Sequence, residues 1–231
     1  MKNIVVLTGA GMSAESGIAT FRDSGGLWEQ YRIEDVATPE AFMRNPELVL
    51  EFYNMRRRES LKAQPNEGHI GLAEMQDEYN VSIITQNVDN LHEKAGSKNV
   101  LHLHGELMKV RSSKNENKVY DVDPGHIDIK LGDTCDDGSQ LRPHIVWFGE
   151  AVPMMEEAEK IVRTADILVI IGTSLNVYPA AGLIYYVKEG TPIYLIDPNS
   201  VSVSKPEVYF IKKGASEGVS ELRKLLKEKR D

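Results

Sequence analysis

Cysteine is nearly absent from this 231-residue chain, which has only Cys135. One cysteine cannot build a disulfide framework, nor can it supply a metal site made only of thiolates. No apolar run approaches the length of about 18 residues that spans a membrane. The N-terminus lacks the charged, apolar and small-residue regions of a secretory signal. We therefore expect a cytoplasmic protein without membrane contact.

Basic stretches are also missing. The formal net charge is −8 and no long run of lysine and arginine occurs, which argues against nucleic-acid binding. The hydrophobic content of 41% and charged content of 27% are ordinary for a globular protein. The length suits one sizeable domain, or one domain with a small inserted module. Nothing demands an oligomer, so we expect a monomer.

Short apolar runs alternate with helical patterns along the chain, at residues 4–7, 81–84, 144–148, 167–171, 193–196 and 208–211. Apolar spacing of three to four residues predicts helices around residues 155–162 and 219–226. Asn45 followed by Pro46 predicts the start of another helix that runs to about Leu61. Strands that alternate with helices indicate an α/β fold, with helices on both faces of a parallel sheet.

Two segments interrupt this alternation and contribute no obvious core strand. Residues 27–67 read as helical, and residues 110–140 are polar and weakly periodic. Long irregular segments in a domain are usually functional or form a module of their own. We expect both to be insertions that build a smaller second lobe.

A glycine-rich turn follows the first apolar run. Gly9, Gly11 and Ala14 match the dinucleotide-binding fingerprint, in which a tight turn lets backbone N–H groups approach a pyrophosphate at a helix N-terminus. Ser13 is placed to cap that helix or to donate to a phosphate. The alternative is a purely structural turn from strand to helix.

Reactive polar side chains follow two further apolar runs. Gln86, Asn87 and Asp89 come after the run at 81–84, and His102 and His104 lie in and after residues 99–103. Such clusters at strand ends suggest a ligand crevice, here with a histidine beside a nucleotide. The residues alone do not choose between the two histidines, and a hydrogen-bonded core histidine is the alternative for either.

Together these motifs resemble the sirtuin family of NAD-dependent protein lysine deacylases. The resemblance rests on segments in the family's order that span nearly the whole chain: residues 9–13 with 21–23, residues 85–89, His104-Gly105, and residues 146–150 with 172–174. It implies NAD as cofactor and acyl-lysine segments of proteins as partners. It also implies a Rossmann-type large domain from residues 1–26, 68–109 and 141–231, with a small domain from residues 27–67 and 110–140.

The resemblance also assigns site residues. His104 would be the catalytic base, helped by Asn87 and Asp89, and Val146, Phe148 and Gly149 would line the groove in which the substrate peptide adds as a strand. Ala215 would lie at the adenine end of NAD, on weaker grounds than the rest. The residues expected around NAD are Gly9, Ala10, Gly11, Ser13, Phe21, Arg22, Gln86, Asn87, Asp89, Gly172, Thr173, Ser174, Asn199 and Ala215.

The reaction that the resemblance implies begins with attack of the substrate amide oxygen on the carbon that bears nicotinamide. This step needs alignment and exclusion of water rather than a strong protein nucleophile. His104 would then activate a ribose hydroxyl. The products would be the free lysine, nicotinamide and O-acyl-ADP-ribose.

A possible receptor for the acyl group lies on the predicted helix after Asn45. Tyr53 and Arg56 are three residues apart, so they share one face, and together they suit a carboxylate. The alternative is a helix with solvated arginines, since Arg57 and Arg58 follow directly. Tyr53, Arg56 and the small Ala37 resemble the class III subgroup, which would prefer succinyl- and malonyl-lysine over acetyl-lysine.

The chain departs from the family in its second insertion. Sirtuins typically carry two Cys-x-x-Cys pairs there for a structural zinc, and this chain has only Cys135. We expect no zinc. Two other functions stay open: an NAD glycohydrolase or mono-ADP-ribosyltransferase, and a non-catalytic module that senses NAD or ADP-ribose.

Overall fold

The computed structural model describes residues 1–20, 26–203, 205 and 207–228, with only the backbone of Trp28. Its strands are β1 (Asn3–Thr8), β2 (Asn80–Thr85), β3 (Val100–His102), β4 (Gly105–Ser112), β5 (Val119–Asp121), β6 (Leu141–Ile145), β7 (Ile167–Ile171), β8 (Ile193–Ile196) and β9 (Val208–Ile211). Its helices are α1 (Gly11–Ala14), α2 (Leu27–Gln30), α3 (Ile33–Val36), α4 (Pro39–Arg44), α5 (Pro46–Lys62), α6 (Glu67–Glu74), α7 (Leu91–Lys94), α8 (Met155–Val162) and α9 (Ala215–Glu228). Short 3₁₀ segments occupy Met75–Asp77 and Ala180–Tyr186.

The larger sheet has the strand order β3-β2-β1-β7-β8-β9, and all its pairings are parallel. From the central β1 the chain moves outward through β2 and β3, and later outward on the other side through β7, β8 and β9. The order therefore reverses between β1 and β7. Ligands of open α/β sheets bind outside the carboxyl ends of the strands at such a switch point. The predicted α/β fold with a Rossmann-type sheet is confirmed.

Helices cover both faces of this sheet. Ile4 and Val6 belong to one core cluster with residues of α6 and α9, while Val5 and Leu7 belong to another with residues of α8 and the 3₁₀ segment Ala180–Tyr186. Neighbouring residues of a strand point to opposite faces, so a strand buried on both sides reads as a continuous apolar run. The predicted helices near residues 155–162 and 219–226 are present as α8 and α9. No helix among the described residues has the length and apolar character needed to cross a bilayer.

A second, antiparallel sheet has the order β5-β4-β6. The apolar run at 144–148 was expected to be a strand of the large sheet, and this expectation is wrong. Its first two residues end β6 in the small sheet, and Trp147 leaves the strand to pack with Ile145 against residues of α4 and α5. The run is apolar because it is buried by helices, and apolarity alone does not identify the sheet.

Helix α5 begins as the sequence predicts. The side chain of Asn45 accepts a hydrogen bond from the Leu48 N–H at 3.2 Å, and Pro46 occupies the first turn. The helix also fastens the second insertion. Arg57 donates to the carbonyl oxygens of Leu107 at 2.7 Å and Ile127 at 2.8 Å. These contacts join α5 to β4 and to the loop after β5.

The second insertion is held together by polar contacts around its only cysteine. Ser112 Oγ lies 2.9 Å from Asp137 Oδ2 and 2.6 Å from Ser139 Oγ, and Cys135 Sγ lies 2.8 Å from Asp137 Oδ1. Within the described ranges, no group of three or more His, Cys, Asp or Glu side chains could hold a metal ion. The expectation of no zinc stays a prediction.

The predicted division into two lobes also stays a proposal. The helices α2 to α5 fall within residues 27–67 as expected, and the small sheet extends from Gly105 to Ile145, beyond the predicted boundaries at 110 and 140. Leu107, Ile145 and Trp147 pack with the helical segment in one apolar cluster. The small sheet and the helices thus form one packed unit beside the large sheet.

Candidate functional site

A crevice of about 670 Å³ opens at the carboxyl ends of the large sheet, beside the switch point between β1 and β7. Loops after β1, β2, β7 and β8 form one side, and the small sheet and α5 contribute the other. Sixteen of the residues expected from the sequence line it: Gly9, Ala10, Gly11, Ala37, Tyr53, Arg56, Gln86, Asn87, His104, Val146, Phe148, Gly149, Gly172, Thr173, Ser174 and Asn199.

The glycines of the switch point let two turns touch. Gly11 N–H donates to the Gly172 carbonyl at 2.9 Å, and Gly9 N–H donates to the Ile171 carbonyl at 3.0 Å. A Cβ on Gly11 would stand 2.7 Å from the Gly172 Cα, and a Cβ on Gly9 would stand 2.7 Å from the Gly172 oxygen. Glycine is therefore required at both positions by backbone packing, whether or not a ligand binds.

Backbone donors for a pyrophosphate lie at the N-cap of α1 and in the loop after β7. Met12 and Ser13 donate their N–H groups to the carbonyls of Gly9 and Ala10, as Gly11 does to Gly172. By contrast, the N–H groups of Ala10, Thr173 and Ser174 have no acceptor among the described residues. These three residues line the crevice, so the site fits an anionic dinucleotide.

We expect Gly172→Ala to lower the free energy of unfolding by roughly 2–5 kcal/mol, from a left-handed backbone forced on alanine plus overpacking. Gly172 has φ +60°, and a Cβ there would lie 2.4 Å from the Met12 nitrogen. Urea unfolding measures the effect. Gly182→Ala is the matched control, because a Cβ at Gly182 meets nothing within 4 Å. Equal stability of the two variants would contradict the close packing of the turns.

Of the two roles that the sequence suggested for Ser13, capping of α1 is not observed. The N-cap residue is Ala10, and the Ser13 hydroxyl instead donates to Asp89 Oδ2 at 3.0 Å and accepts from Asn87 Nδ2 at 3.2 Å. Asn87 Nδ2 also donates to the Gly9 carbonyl at 2.9 Å. Burial raises the pKa of the Asp89 carboxyl, against the hydrogen bonds from Leu91 N–H and Ser13. The three polar side chains border a small pocket that adjoins the crevice.

A buried chain of hydrogen bonds supports this loop from below. The Thr8 hydroxyl donates to Thr85 Oγ1 at 2.8 Å, and Thr85 Oγ1 accepts the Asn87 N–H at 3.0 Å. His92 Nε2 lies 3.1 Å from Thr8 Oγ1. Because the Thr8 hydrogen is already donated, His92 Nε2 must carry the hydrogen of that contact. His92 thus has the structural role that its place in α7 indicates.

Hydrogen-bond partners separate His102 from His104. His102 Nδ1 lies 3.0 Å from the Asn87 carbonyl oxygen and Nε2 lies 2.8 Å from Glu93 Oε1. Both partners are acceptors, so both ring nitrogens donate and the ring is a cation. Although burial opposes it, the hydrogen bond and charge of Glu93 raise the pKa of His102. A protonated, fully bonded ring cannot accept a proton.

His104 is bonded at one nitrogen only. Its Nδ1 lies 3.1 Å from the Gln86 carbonyl oxygen, so Nδ1 carries the hydrogen and Nε2 is the unprotonated nitrogen. Burial lowers the pKa of His104 below its ordinary value, so the ring is neutral at neutral pH. It lies on the bend after β3, whereas His102 is the last residue of that strand. His104 lines the crevice as a proton acceptor.

Two of the three consecutive arginines of α5 are buried, so the alternative of a solvated face is wrong for Arg56 and Arg57, whereas the Arg58 side chain is 36% exposed. Arg56 is 8% exposed and Arg57 is fully buried. The Arg56 guanidinium carbon lies 5.8 Å from the centre of the Tyr53 ring, and both side chains line the crevice. Ala37, also buried, lines the same region. The structure therefore brings together the three residues predicted to receive the acyl group.

The segment after β6 connects the histidine with this acyl region. Val146 N–H donates to the His104 carbonyl at 3.0 Å, and Phe148 N–H donates to the Ala37 carbonyl at 3.0 Å. Phe148 is 42% exposed and Gly149 has φ +91°. Residues 146–150, where the sequence places the peptide groove, thus leave β6 and turn at Phe148 and Gly149.

Some expected residues lie elsewhere. Ala215 is buried in the core, and its neighbour Gly214 lines the crevice instead. Phe21 and Arg22 lie outside the described residues. Trp147 and Asp197 also line the crevice, and neither was among the site residues expected from the sequence. Asp197 directly follows the run at 193–196, so its position at a strand end was an available signal.

Comparisons with known proteins agree with this geometry. The profile of the Sir2 family matches residues 9–179. An NAD-dependent protein deacylase of Bacteroides thetaiotaomicron is 59% identical over 230 residues, which cover 98% of each chain. A Sir2 homologue solved with ADP-ribose has a TM-score of 0.88 at 42% identity, covering 98% of this chain and 94% of that chain. A Sir2 protein solved with a deacetylated p53 peptide and 3′-O-acetyl-ADP-ribose has a TM-score of 0.83 at 30% identity, covering 96% and 92%. With most of its length matched on each count, the chain belongs to the Sir2 family.

Proposed function

We propose that this NAD-dependent protein deacylase removes succinyl and malonyl groups from protein lysines in preference to acetyl groups. The observation that carries the proposal is the buried guanidinium of Arg56 beside Tyr53 and Ala37 in the crevice. The acetyl group of acetyl-lysine has no negative charge to pair with this guanidinium, whereas the acyl groups of succinyl- and malonyl-lysine end in a carboxylate. A small residue at position 37 leaves room for the longer acyl chain.

The energetic argument rests on desolvation. Burial lowers the pKa of Arg56, because removal from water disfavours the charged form. An arginine nevertheless stays protonated at neutral pH. A carboxylate that enters the crevice therefore meets a cation that has lost most of its water. A charge-assisted hydrogen bond of this kind contributes about 1.5–3 kcal/mol.

The remaining site residues fit the steps of the reaction. Bound NAD supplies the ribose carbon that is attacked and the nicotinamide that leaves. Asn87 and Asp89 would hold the nicotinamide end of NAD, and the N–H groups of Ala10, Thr173 and Ser174 would hold its phosphates. His104 accepts a proton from the ribose hydroxyl at Nε2.

Substrate segments of proteins would lie as an added strand along Val146, Phe148 and Gly149. A Sir2 protein of matching fold was solved with a deacetylated p53 peptide, which supports a peptide as the substrate. The division into a large domain and a small domain from residues 27–67 and 110–140 belongs to the same proposal. The crevice then lies where the two units meet.

A panel of succinyl-, malonyl- and acetyl-lysine peptides with NAD tests the proposal. We expect kcat/KM for the two acidic acyl groups to exceed that for acetyl by roughly 10- to 100-fold, the size of one charged hydrogen bond. Mass spectrometry should find O-succinyl-ADP-ribose. Acetyl turnover equal to or above succinyl turnover would contradict the preference. Free ADP-ribose formed without peptide would indicate a glycohydrolase, and NAD binding without turnover would indicate a sensor.

A further inference from the structure

The hydroxyl of Tyr53 is held by an indole. Trp147 Nε1 lies 3.0 Å from the Tyr53 hydroxyl oxygen, and both side chains are buried, at 3% and 2% exposure. An indole N–H can only donate, so the tyrosine oxygen accepts. The hydrogen of the tyrosine hydroxyl is therefore not used in this bond, and no described residue accepts it.

The indole is itself fixed from two sides. Trp147 N–H donates to Glu150 Oε2 at 2.8 Å, and the Arg142 guanidinium lies 3.3 Å from the centre of the indole ring. Arg142 Nη1 donates to Glu150 Oε1 at 2.7 Å, and its Nη2 donates to the Ile145 carbonyl at 2.9 Å. These contacts fix both the backbone and the indole ring of Trp147, so the direction of the indole N–H is fixed as well.

The consequence concerns the direction of the tyrosine hydrogen. Tyr53, Trp147 and Arg56 all line the crevice. With one side of the hydroxyl oxygen occupied by Trp147, the hydroxyl hydrogen points away from the indole. Burial raises the pKa of Tyr53 to about 12, so the hydroxyl stays protonated throughout the neutral range. A carboxylate has only acceptors, and it needs donors presented in this way.

We propose that Trp147 is a positioning residue for acyl specificity, acting through Tyr53: its N–H occupies the acceptor side of the hydroxyl and directs the hydroxyl hydrogen to a terminal carboxylate of the acyl group. This inference rests on the proposed preference for acidic acyl groups. Arg56 supplies the charge, and the pair of Trp147 and Tyr53 supplies the orientation. The class of substrate recognised is an acyl-lysine whose chain ends in a carboxylate.

Trp147→Phe tests the inference, because phenylalanine keeps an aromatic ring and lacks the N–H. The readout is the ratio of kcat/KM for succinyl-peptide to that for acetyl-peptide. We expect this ratio to fall by roughly 3- to 10-fold, the worth of one hydrogen bond, mainly through KM for the succinyl-peptide. In a Tyr53→Phe background the same substitution should leave the ratio where Tyr53→Phe alone puts it, because both changes remove one interaction.

Tyr31→Phe is the matched control. Tyr31 belongs to the same apolar cluster, its hydroxyl contacts Met55 Sδ at 3.7 Å, and it does not line the crevice, so the ratio should stay unchanged. If Trp147→Phe does not fold, benzothienylalanine at position 147 keeps the bicyclic ring without the donor. An unchanged ratio in either variant, or an equal fall in the Tyr53→Phe background, would overturn the inference. A wild type without succinyl preference would instead refute the proposed function.

Discussion

Replacing His104 with asparagine is expected to lower kcat/KM for every acyl-peptide by roughly 10²- to 10⁴-fold, the usual contribution of a positioned general base. The hydrogen bond from Nδ1 to the Gln86 carbonyl leaves Nε2 as the nitrogen that accepts a proton. Because burial lowers the pKa of His104, the base is neutral and competent at neutral pH. The loss should be the same for succinyl and acetyl substrates, since the histidine acts on the ribose and not on the acyl chain.

A second readout separates loss of the base from loss of the fold. Cleavage of nicotinamide needs no proton acceptor, so exchange of labelled nicotinamide into NAD in the presence of acyl-peptide should persist in His104→Asn. The asparagine can still donate from its side-chain amide towards the Gln86 carbonyl, which preserves local structure. If both exchange and deacylation disappear, His104 is needed for binding or folding, and its role as base is not supported.

His102→Gln distinguishes the two histidines experimentally. Both nitrogens of His102 are bonded to acceptors, the Asn87 carbonyl and Glu93. Glutamine keeps one donor, so the substitution should weaken the support of the Asn87 loop without removing a base. We therefore expect a loss much smaller than that of His104→Asn. Equal losses would mean that the assignment of the base to one ring is wrong.

The local signals in the sequence predicted the frame of this fold well. A parallel strand buried on both faces is an apolar run in the sequence, so the sequence predicted the strands at residues 4–7 and 167–171. The turn that follows the first of them needs glycine for close packing, and Gly9 and Gly11 marked it. The run at 144–148 was misassigned because burial by a helix and burial by a sheet leave the same apolar pattern. Only the register of β6 against β4 resolves it.

The sequence predicted which residues line the crevice better than it predicted their contacts. His102 and His104 differ in their partners rather than in their spacing, and those partners lie in other loops. Arg56, Arg57 and Arg58 are consecutive in the sequence, and residue type does not distinguish them. Long-range contacts to Leu107 and Ile127 make Arg57 structural, whereas Arg56 reaches the crevice. The pattern of charges in the sequence therefore cannot distinguish a buried arginine that faces the crevice from one that holds the fold together.

Arg56→Met is expected to lower the ratio of succinyl to acetyl kcat/KM by roughly 10- to 100-fold, with malonyl following succinyl. Methionine has a similar unbranched shape and can pack on the rings of Phe52 and Tyr53, over which the guanidinium now lies at 5.7 and 5.8 Å. It cannot bind a carboxylate. Arg58→Met is the matched control on the same helix, because the Arg58 side chain is 36% exposed and does not line the crevice.

The stability of Arg56→Met against urea is measured beside its kinetics. Urea unfolding is the second readout, because removal of one member of a buried charged interaction destabilises a fold by about 3–5 kcal/mol. A variant that is more stable and yet fails only with acidic acyl groups would show that the charge serves substrate recognition at a cost to the fold. Unchanged succinyl turnover would refute the acyl pocket. Loss of succinyl and acetyl turnover together, with lower stability, would assign Arg56 to the packing of α5 instead.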